Sequence, residues 1–323
     1  MMSLPDFRYK QIIIANLTEG EKLSFKNDNV IIADREGKVR HQSTCYRLFA
    51  LFIIGNISIT SGLLQRAKRF GFTITLFNHG LRPYGSWQFK TEGNVLLRKK
   101  QYAYDGTAIA QHLVKNKIAG QIAFLNKRRN KSAKLKDAIL KLHEYNERMP
   151  DTTLDFGEIL GLEGVASRLY FSHMFDNIEW GGRTPRAKKD IPNLLLDIGY
   201  MLLFHLMDAL LNLYGFDTYK GVYHREFYQR KSLVTDLVEP FRPVVDYAIR
   251  KAYNLGQINE DDFDFIDGRY RLFWKNSKPY TTLLLQALLE HREEMFLYVQ
   301  KYYRAFMRDK PINEYPIFTG GFG

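Results

Sequence analysis

His224-Arg-Glu-Phe-Tyr-Gln-Arg-Lys-Ser-Leu-Val-Thr-Asp-Leu-Val-Glu-Pro-Phe-Arg242 sets one imidazole ahead of three carboxylates, Glu226, Asp236 and Glu239. Arg225, Arg230, Lys231 and Arg242 lie among them. Asp236 and Glu239 are three residues apart, so on a helix they share a face. Pro240 follows directly, and proline suits the first turn of a helix or a kinked junction. Glu239 is therefore expected where the chain turns rather than on a solvent-facing stripe. Glu226, beside Arg225 and near Arg230, reads as an ion-pair partner.

A fourth carboxylate lies far upstream, in Leu160-Gly-Leu-Glu-Gly-Val-Ala-Ser-Arg-Leu-Tyr-Phe171. On a helix Glu163 shares its face with Ile159, Leu160, Ala166, Ser167 and Tyr170. A charge on so apolar a stripe is costly unless compensated. The residues leave two compensations open: an ion pair, with Arg168 or a basic residue of another helix, or a divalent cation shared with other carboxylates.

The chain has two kinds of patterning. The first ninety or so residues carry short β-branched runs at 11–17, 22–33, 48–59 and 72–77, with a Lys-Asn-Asp-Asn turn at 26–29 that signals a hairpin and another turn at Glu36-Gly37. Between them, Thr60 or Ser61 can cap a short helix that Gly71 ends. From Asn94 onward, apolar residues three and four apart predict helices over 94–126, 155–178, 192–216, 237–255 and 281–307. The expected architecture is α+β and multidomain: a small β-rich domain with one helix at 1–93 and a larger all-α domain at 94–323. The tail from 311 reads as a loose surface segment.

The bulk composition agrees with a protein that meets a polyanion. Apolar residues make up 45% of the 323 and aromatics 14%, enough for a large core, and the net charge is +12. Between Arg98 and Asp137 there are eleven Lys or Arg against two acids, and Arg183-Thr-Pro-Arg-Ala-Lys-Lys189 forms a second basic tract. The one cysteine, Cys45, excludes an internal disulfide and fits a reducing cytoplasm. No secretory signal precedes the first strand. The apolar run at 198–216 is long enough to cross a bilayer, but His205, Asp208 and Asn212 form a polar stripe along it, so a buried helix is expected. The helical pairs His205/Asp208 and His173/Asp176 read as core residues, and the acidic run 260–264 with Asp267-Gly268 as a solvated turn or cap.

Four blocks occur in order: Gly161-Leu-Glu-Gly-Val-Ala-Ser-Arg-Leu-Tyr-Phe171, Asn193-Leu-Leu-Leu-Asp-Ile-Gly-Tyr200, Tyr219-Lys-Gly-Val-Tyr-His224 and Ser232-Leu-Val-Thr-Asp-Leu-Val-Glu-Pro-Phe-Arg-Pro243. Together with Ser58-Ile-Thr-Ser-Gly-Leu-Leu64, Asn94-Val-Leu-Leu-Arg-Lys-Lys-Gln101 and Lys115-Asn-Lys-Ile-Ala-Gly-Gln121, they make the chain resemble the CRISPR-associated (Cas) endonuclease/integrase family that inserts spacers during adaptation. The resemblance covers residues 10 to 300, and its final block is the most specific.

The resemblance implies that Glu163, His224 and Glu239 bind one divalent metal, Mg²⁺ or Mn²⁺, and are catalytic, with Asp236 supporting the site. Many relatives carry Asp where Glu239 stands. It implies joining of prespacer 3′-hydroxyl ends into a double-stranded repeat array by transesterification. Arg183, Arg186, Lys188, Lys189, Arg225, Arg230, Lys231 and Arg242 are candidates for DNA contact. It further implies a homodimer through the β-rich domains and a small ferredoxin-like CRISPR-associated partner protein, in the cytoplasm and away from membranes. Two other readings use the same residues: a free-standing structure-specific nuclease with a water nucleophile, and a non-catalytic DNA-bridging scaffold.

Overall fold

The computed structural model describes residues 2–17, 20–88, 93–149, 154–175, 178, 180–224 and 227–321. A short helix α1 (Leu4–Arg8) precedes strands β1 (Gln11–Asn16), β2 (Lys22–Lys26), β3 (Asn29–Ala33), β4 (Val39–Thr44) and β5 (Leu48–Ile54). Helix α2 (Ser61–Phe70) crosses to β6 (Thr73–Phe77), followed by β7 (Pro83–Trp87). One sheet has the order β1-β5-β6-β7, with β1, β5 and β6 parallel and β7 antiparallel on β6. The other, β2-β3-β4, is antiparallel. The expected hairpin turn is there: Asn27 and Asp28 both take left-handed backbone, the pattern of a two-residue loop.

Every residue of β5 is buried, as befits a central strand covered on both faces. Its alternating side chains feed two cores. Leu48, Leu51 and Ile53 pack between the two sheets and α2. Phe49, Phe52 and Ile54 face the other way, into a core continuous with the helices. As expected, Gly71 ends α2 with φ 68, where an L side chain would be strained. Thr60 stands at the N-cap without a side-chain bond.

The rest is mostly helical: α3 (Val95–Ala103), α4 (Ala108–Asn126), α5 (Ala133–Glu147), α6 (Phe156–Phe171), α7 (Ile191–Tyr214), α8 (Ser232–Val238) and α9 (Arg242–Asn254). A hairpin, β8 (Phe263–Ile266) and β9 (Arg269–Leu272), interrupts the series before α10 (Ser277–Glu290) and α11 (Arg292–Met307). Helix α7 is long and apolar enough to span a membrane, but 78% of its apolar window is buried in the protein, so it serves as a core helix.

Several expectations change in detail. The helix expected over 94–126 is two, because Asp105 and Gly106, weak helix formers, open a break. That over 281–307 divides at His291, whose ring bonds Glu294. The helical region is not wholly α: the acidic run opens in the expected turn, Glu260–Asp262, but then enters β8, and Asp267 and Gly268, at φ 52 and 72, close a β8–β9 hairpin that was not expected. The tail is not loose. Asn116 Nδ2 donates to the Phe318 carbonyl at 2.7 Å and Asn116 Oδ1 accepts from the Phe318 N–H at 2.9 Å. The Phe318 ring lies 4.4 Å from that of Phe241, in the core.

Candidate active site

Four elements of the helical region meet around one charged cluster. Helix α6 presents Glu163, α4 presents Lys117, and the loop before α8 presents His224. Between α8 and α9 the chain tightens into a single 3-10 turn, Glu239–Phe241, which presents Glu239. The proline after Glu239 and a second, Pro243, at the start of α9 explain the junction. Neither can donate a backbone hydrogen bond, so the helix is reset rather than continued.

Lys117 is the centre of the cluster. Its ammonium is in direct ion contact with Glu163 and lies 2.7 Å from Glu239 Oε2. All three side chains are largely buried, with 10%, 18% and 5% exposed for Lys117, Glu163 and Glu239. Ser167 Oγ donates to Glu163 Oε1 at 2.9 Å from one helical turn on. Arg242 Nη2 sits 3.0 Å from Glu239 Oε1. Burial opposes ionisation of Glu239, but Arg242 and Lys117 outweigh it and hold the pKa down at about 2. Burial likewise opposes the Lys117 charge, and Glu239 and Glu163 overcome it, so its pKa is raised. The pairing expected of Glu163 is thus an ion pair with a base on another helix, not with Arg168.

His224 is held by Asp236. The carboxylate of this fully buried residue accepts the backbone N–H groups of Val222 (2.7 Å), Tyr223 (3.0 Å) and His224 (2.8 Å). Its Oδ1 also accepts His224 Nδ1–H at 2.7 Å. A carboxylate partner at Nδ1 fixes the tautomer and turns Nε2 outward. The loop closes only around a glycine: a Cβ on Gly221 would lie 2.8 Å from Asp236 Oδ2 and 2.7 Å from Ser232 Cβ. Tyr223 packs its ring 5.0 Å from His224, and its buried hydroxyl has no hydrogen-bond partner among the described residues. Burial, then Glu163 and Glu239, raise its pKa, which puts the tyrosine in the field of both carboxylates.

Among the described residues, no three imidazole, thiol or carboxylate groups stand close enough to share an ion. The chemistry of the donors nevertheless fits a hard divalent cation. Two largely buried carboxylates converge on one positive charge, the Lys117 ammonium. Glu239 Oε2 is buried against the Lys117 ammonium at 2.7 Å, so a bound metal would have to share or displace that contact. His224, close enough for its charge to act on Glu239, offers an imidazole as a further donor of a type that Mn²⁺ accepts beside carboxylates.

A family profile described as CRISPR associated protein Cas1 matches residues 15–285. The chain belongs to the Cas1 family. It is 30% identical over 274 residues to the CRISPR-associated endonuclease Cas1 1 of Thermodesulfovibrio yellowstonii, covering 80% of this chain and 86% of that protein. With CRISPR-associated endonuclease Cas1 1 of Chlorobaculum tepidum it shares 31% over 268 residues, 76% of this chain and 77% of that one. The fold matches a Cas1 protein from Thermotoga maritima with a TM-score of 0.73 at 23% identity, over 88% of this chain and 94% of that chain. It also matches a casposase bound to integration product, with a TM-score of 0.77 at 19% identity, over 97% of this chain and 94% of that chain. The Cas1 fold is therefore the β-rich region followed by the helical one described above.

The remaining sequence candidates of this Cas1 chain divide by what they touch. Arg183 bonds Asp197 at 2.6 Å and Asn193 Oδ1 at 2.9 Å, and its guanidinium lies 5.4 Å from the Tyr200 ring centre. Arg242 lies over the same ring at 4.7 Å. Lys231 is tied to the buried Asp208 at 2.7 Å. Arg230 donates to Ser232 and lies near the Phe227 ring. Arg186 and Lys189 are exposed and Lys188 half-buried. Arg225, Glu226 and Asp176 lie outside the described residues. His205 is a core histidine against Phe77 and Phe204.

Lys117 escaped the sequence reading although the block containing it was noticed. The signal was present: Leu113, Val114, Gly120 and Gln121 surround it on the buried side of α4, where a lone lysine needs a carboxylate.

Proposed function

We propose that this Cas1 protein is a divalent-metal-dependent DNA endonuclease and integrase of CRISPR adaptation. It joins prespacer 3′-hydroxyl ends into the repeat array by transesterification. One observation carries the proposal: Glu163 and Glu239, from separate parts of the chain, are buried about a single cationic centre at Lys117. Family membership and the names of the relatives support the same reading.

The joining step exchanges one phosphodiester for another. A P–O bond forms to the incoming 3′-oxygen, and the target's own 3′-oxygen leaves as a hydroxyl. Glu163, Glu239 and His224 Nε2 would hold a divalent metal, which would supply Lewis acidity toward the phosphate oxygens. Asp236 keeps the imidazole in the tautomer that offers Nε2. Arg242 keeps Glu239 ionised, and with Arg183 it brackets Tyr200 beside the site; Asp197 and Glu239 already pair these two arginines, so both rank with Lys231 as phosphate contacts. Arg186, Lys188, Lys189, Arg225 and Arg230 are the further candidates for holding backbone phosphates. Lys231 ranks below them because Asp208 already claims its charge. Residues 1–93 are proposed as the dimerisation domain and 94–323 as the catalytic one, in a cytoplasmic complex with a small ferredoxin-like partner.

The test supplies a duplex with free 3′-hydroxyls and a supercoiled repeat plasmid. The expected result is covalently joined DNA with the wild type. Glu163→Gln and His224→Ala should bind DNA as before and join none. Joining at undiminished rate in either variant removes the site assignment. Cut plasmid without joined product moves the reading to a nuclease.

A further inference from the structure

Behind the carboxylate cluster, three helices meet on one buried carboxylate that the proposed chemistry does not use. Asp246, on α9, is 1% exposed and makes no ion pair among the described residues. Tyr170 of α6 donates its hydroxyl to Asp246 Oδ2 at 2.7 Å, and Tyr200 of α7 donates to Oδ1. Each oxygen thus accepts from a neutral donor on a different helix. The approach of α7 to α9 depends on Gly199, where a Cβ would lie 2.3 Å from Val245 Cγ1. Gly199 and Val245 immediately precede Tyr200 and Asp246, so the contact that seals the two helices also brings hydroxyl and carboxylate together. The charged groups facing Asp246 and its tyrosines are Arg242 and Arg250, four residues to either side on α9, and Arg183 from the loop before α7. Burial drives the Asp246 pKa up to about 6, although Tyr200, Tyr170, Arg242 and Arg183 pull it down.

A buried carboxylate without a counter-ion opposes folding, and two hydroxyl bonds offset only part of that. Its geometry serves the two glutamates instead. Tyr170 lies two helical turns beyond Glu163 on the same face of α6, so its anchor at Asp246 fixes the rotation and depth of the helix that carries Glu163. The Tyr200 ring is tied down by its hydroxyl, and the Arg242 guanidinium lies over it at 4.7 Å. Arg242 in turn holds Glu239 Oε1 at 3.0 Å. A cation–ring contact orients the guanidinium only while the ring itself is fixed.

We propose that Asp246 is a positioning residue for the joining reaction: through Tyr170 it sets Glu163, and through Tyr200 and Arg242 it sets Glu239. The two branches leave from the two oxygens of one carboxylate, so the spacing of the two glutamates is referred to a single buried point. An amide in its place keeps the shape but has one accepting oxygen, so one tyrosine must lose its acceptor. The proposal rests on the reading of Glu163 and Glu239 as metal ligands of a DNA-joining enzyme.

The test compares Asp246→Asn, Tyr200→Phe and their combination with Val30→Ala, which opens a cavity in the separate core of the β-rich region. Joining is followed against DNA concentration, Mn²⁺ affinity by calorimetry on the folded protein, and the Arg242–Glu239 contact in metal-free crystals. Asp246→Asn and Tyr200→Phe should each lower kcat and weaken Mn²⁺ binding by about tenfold, the low end for a residue that orients a ligand through another. The DNA concentration giving half the rate should move by less than about twofold. The combined variant should be no worse than Asp246→Asn, because both changes cut the same chain of contacts. Val30→Ala should lower Tm and change neither kcat nor Mn²⁺ affinity. In the crystals, Arg242 should leave Glu239 in Tyr200→Phe and stay in Val30→Ala. An Arg242–Glu239 contact kept at 3.0 Å in Tyr200→Phe, or losses in the site variants no larger than in Val30→Ala, overturns the proposal. Losses that add in the combined variant overturn it too. Should Asp246→Asn fail to fold, Tyr200→Phe carries the test alone. If the wild type joins no DNA while Mn²⁺ affinity falls in the site variants only, the positioning role stands and the joining reading falls; if it binds no Mn²⁺, the crystals decide.

Discussion

Replacing Lys117 by methionine removes the one cation that touches both carboxylates and keeps the side-chain volume. Breaking a buried ion pair by deleting one partner costs about 3–5 kcal/mol, mostly from the charge left behind. Here two features reduce it. Glu239 keeps Arg242 at 3.0 Å, and Glu163 is 18% exposed, so water can reach it. The low end, about 3 kcal/mol, is expected in EDTA at neutral pH. For a chain of this length that is a fall in Tm of about 4 °C, from an unfolding entropy of about 2.1 cal/mol/K per residue. If the ammonium occupies the position a divalent ion prefers, Mn²⁺ should restore more stability to Lys117→Met than it adds to the wild type. The Mn²⁺ affinity of the variant should also rise, because no internal cation competes. Thermal unfolding in EDTA and across a Mn²⁺ series reads both effects, and calorimetric titration checks the affinity. A variant as stable as the wild type in EDTA, with unchanged Mn²⁺ affinity, refutes the stand-in role of Lys117.

Other perturbations report on the surrounding parts. Asp236→Asn converts an acceptor of four hydrogen bonds into a group that must turn its NH₂ toward a donor; stability should fall by about 3 kcal/mol and joining by about 10–100-fold, measured by denaturant unfolding and the plasmid assay. Burial, with Lys231 adding to it, lowers the His205 pKa to about 4 from its ordinary 6.5. The unfolded chain therefore binds the extra proton first as pH falls, so this contribution to stability is complete above 6.5 and is lost progressively toward 4. At pH 5 the loss amounts to about 2 kcal/mol, and His205→Leu should flatten that limb in urea titrations at pH 7 and pH 5. Phe318→Ala should cost about 3 kcal/mol by emptying the space beside Phe241; a loss under about 0.5 kcal/mol would mean the tail is not part of the core.

Much of the fold was legible because its signals are local. The hairpin turn at Asn27-Asp28, the glycine end of α2 and the charged junction at Glu239-Pro240 each need only a few neighbouring residues. What escaped depends on distance or on competition between periods. Asp267-Gly268 carries a hairpin signature, yet the acids ahead of it read as a cap, and β8 is only four residues long. The tail looked loose because nothing in Pro311 to Phe318 announces that Asn116, some two hundred residues earlier, is waiting with a matching donor and acceptor. At the site, resemblance brought Glu163, His224 and Glu239 together, whereas residue patterning alone reached only as far as a buried carboxylate in need of a cation. The structure identifies that cation as Lys117, a pairing of α4 with α6 that no spacing along the chain encodes.

The most direct test is to soak crystals of the protein in Mn²⁺ and locate the anomalous scatterer. The account predicts one peak about 2.1 Å from carboxylate oxygens of Glu163 and Glu239 and from His224 Nε2, with the Lys117 ammonium moved aside. A peak elsewhere, or Lys117 still seated between the two glutamates at saturating Mn²⁺, would contradict it.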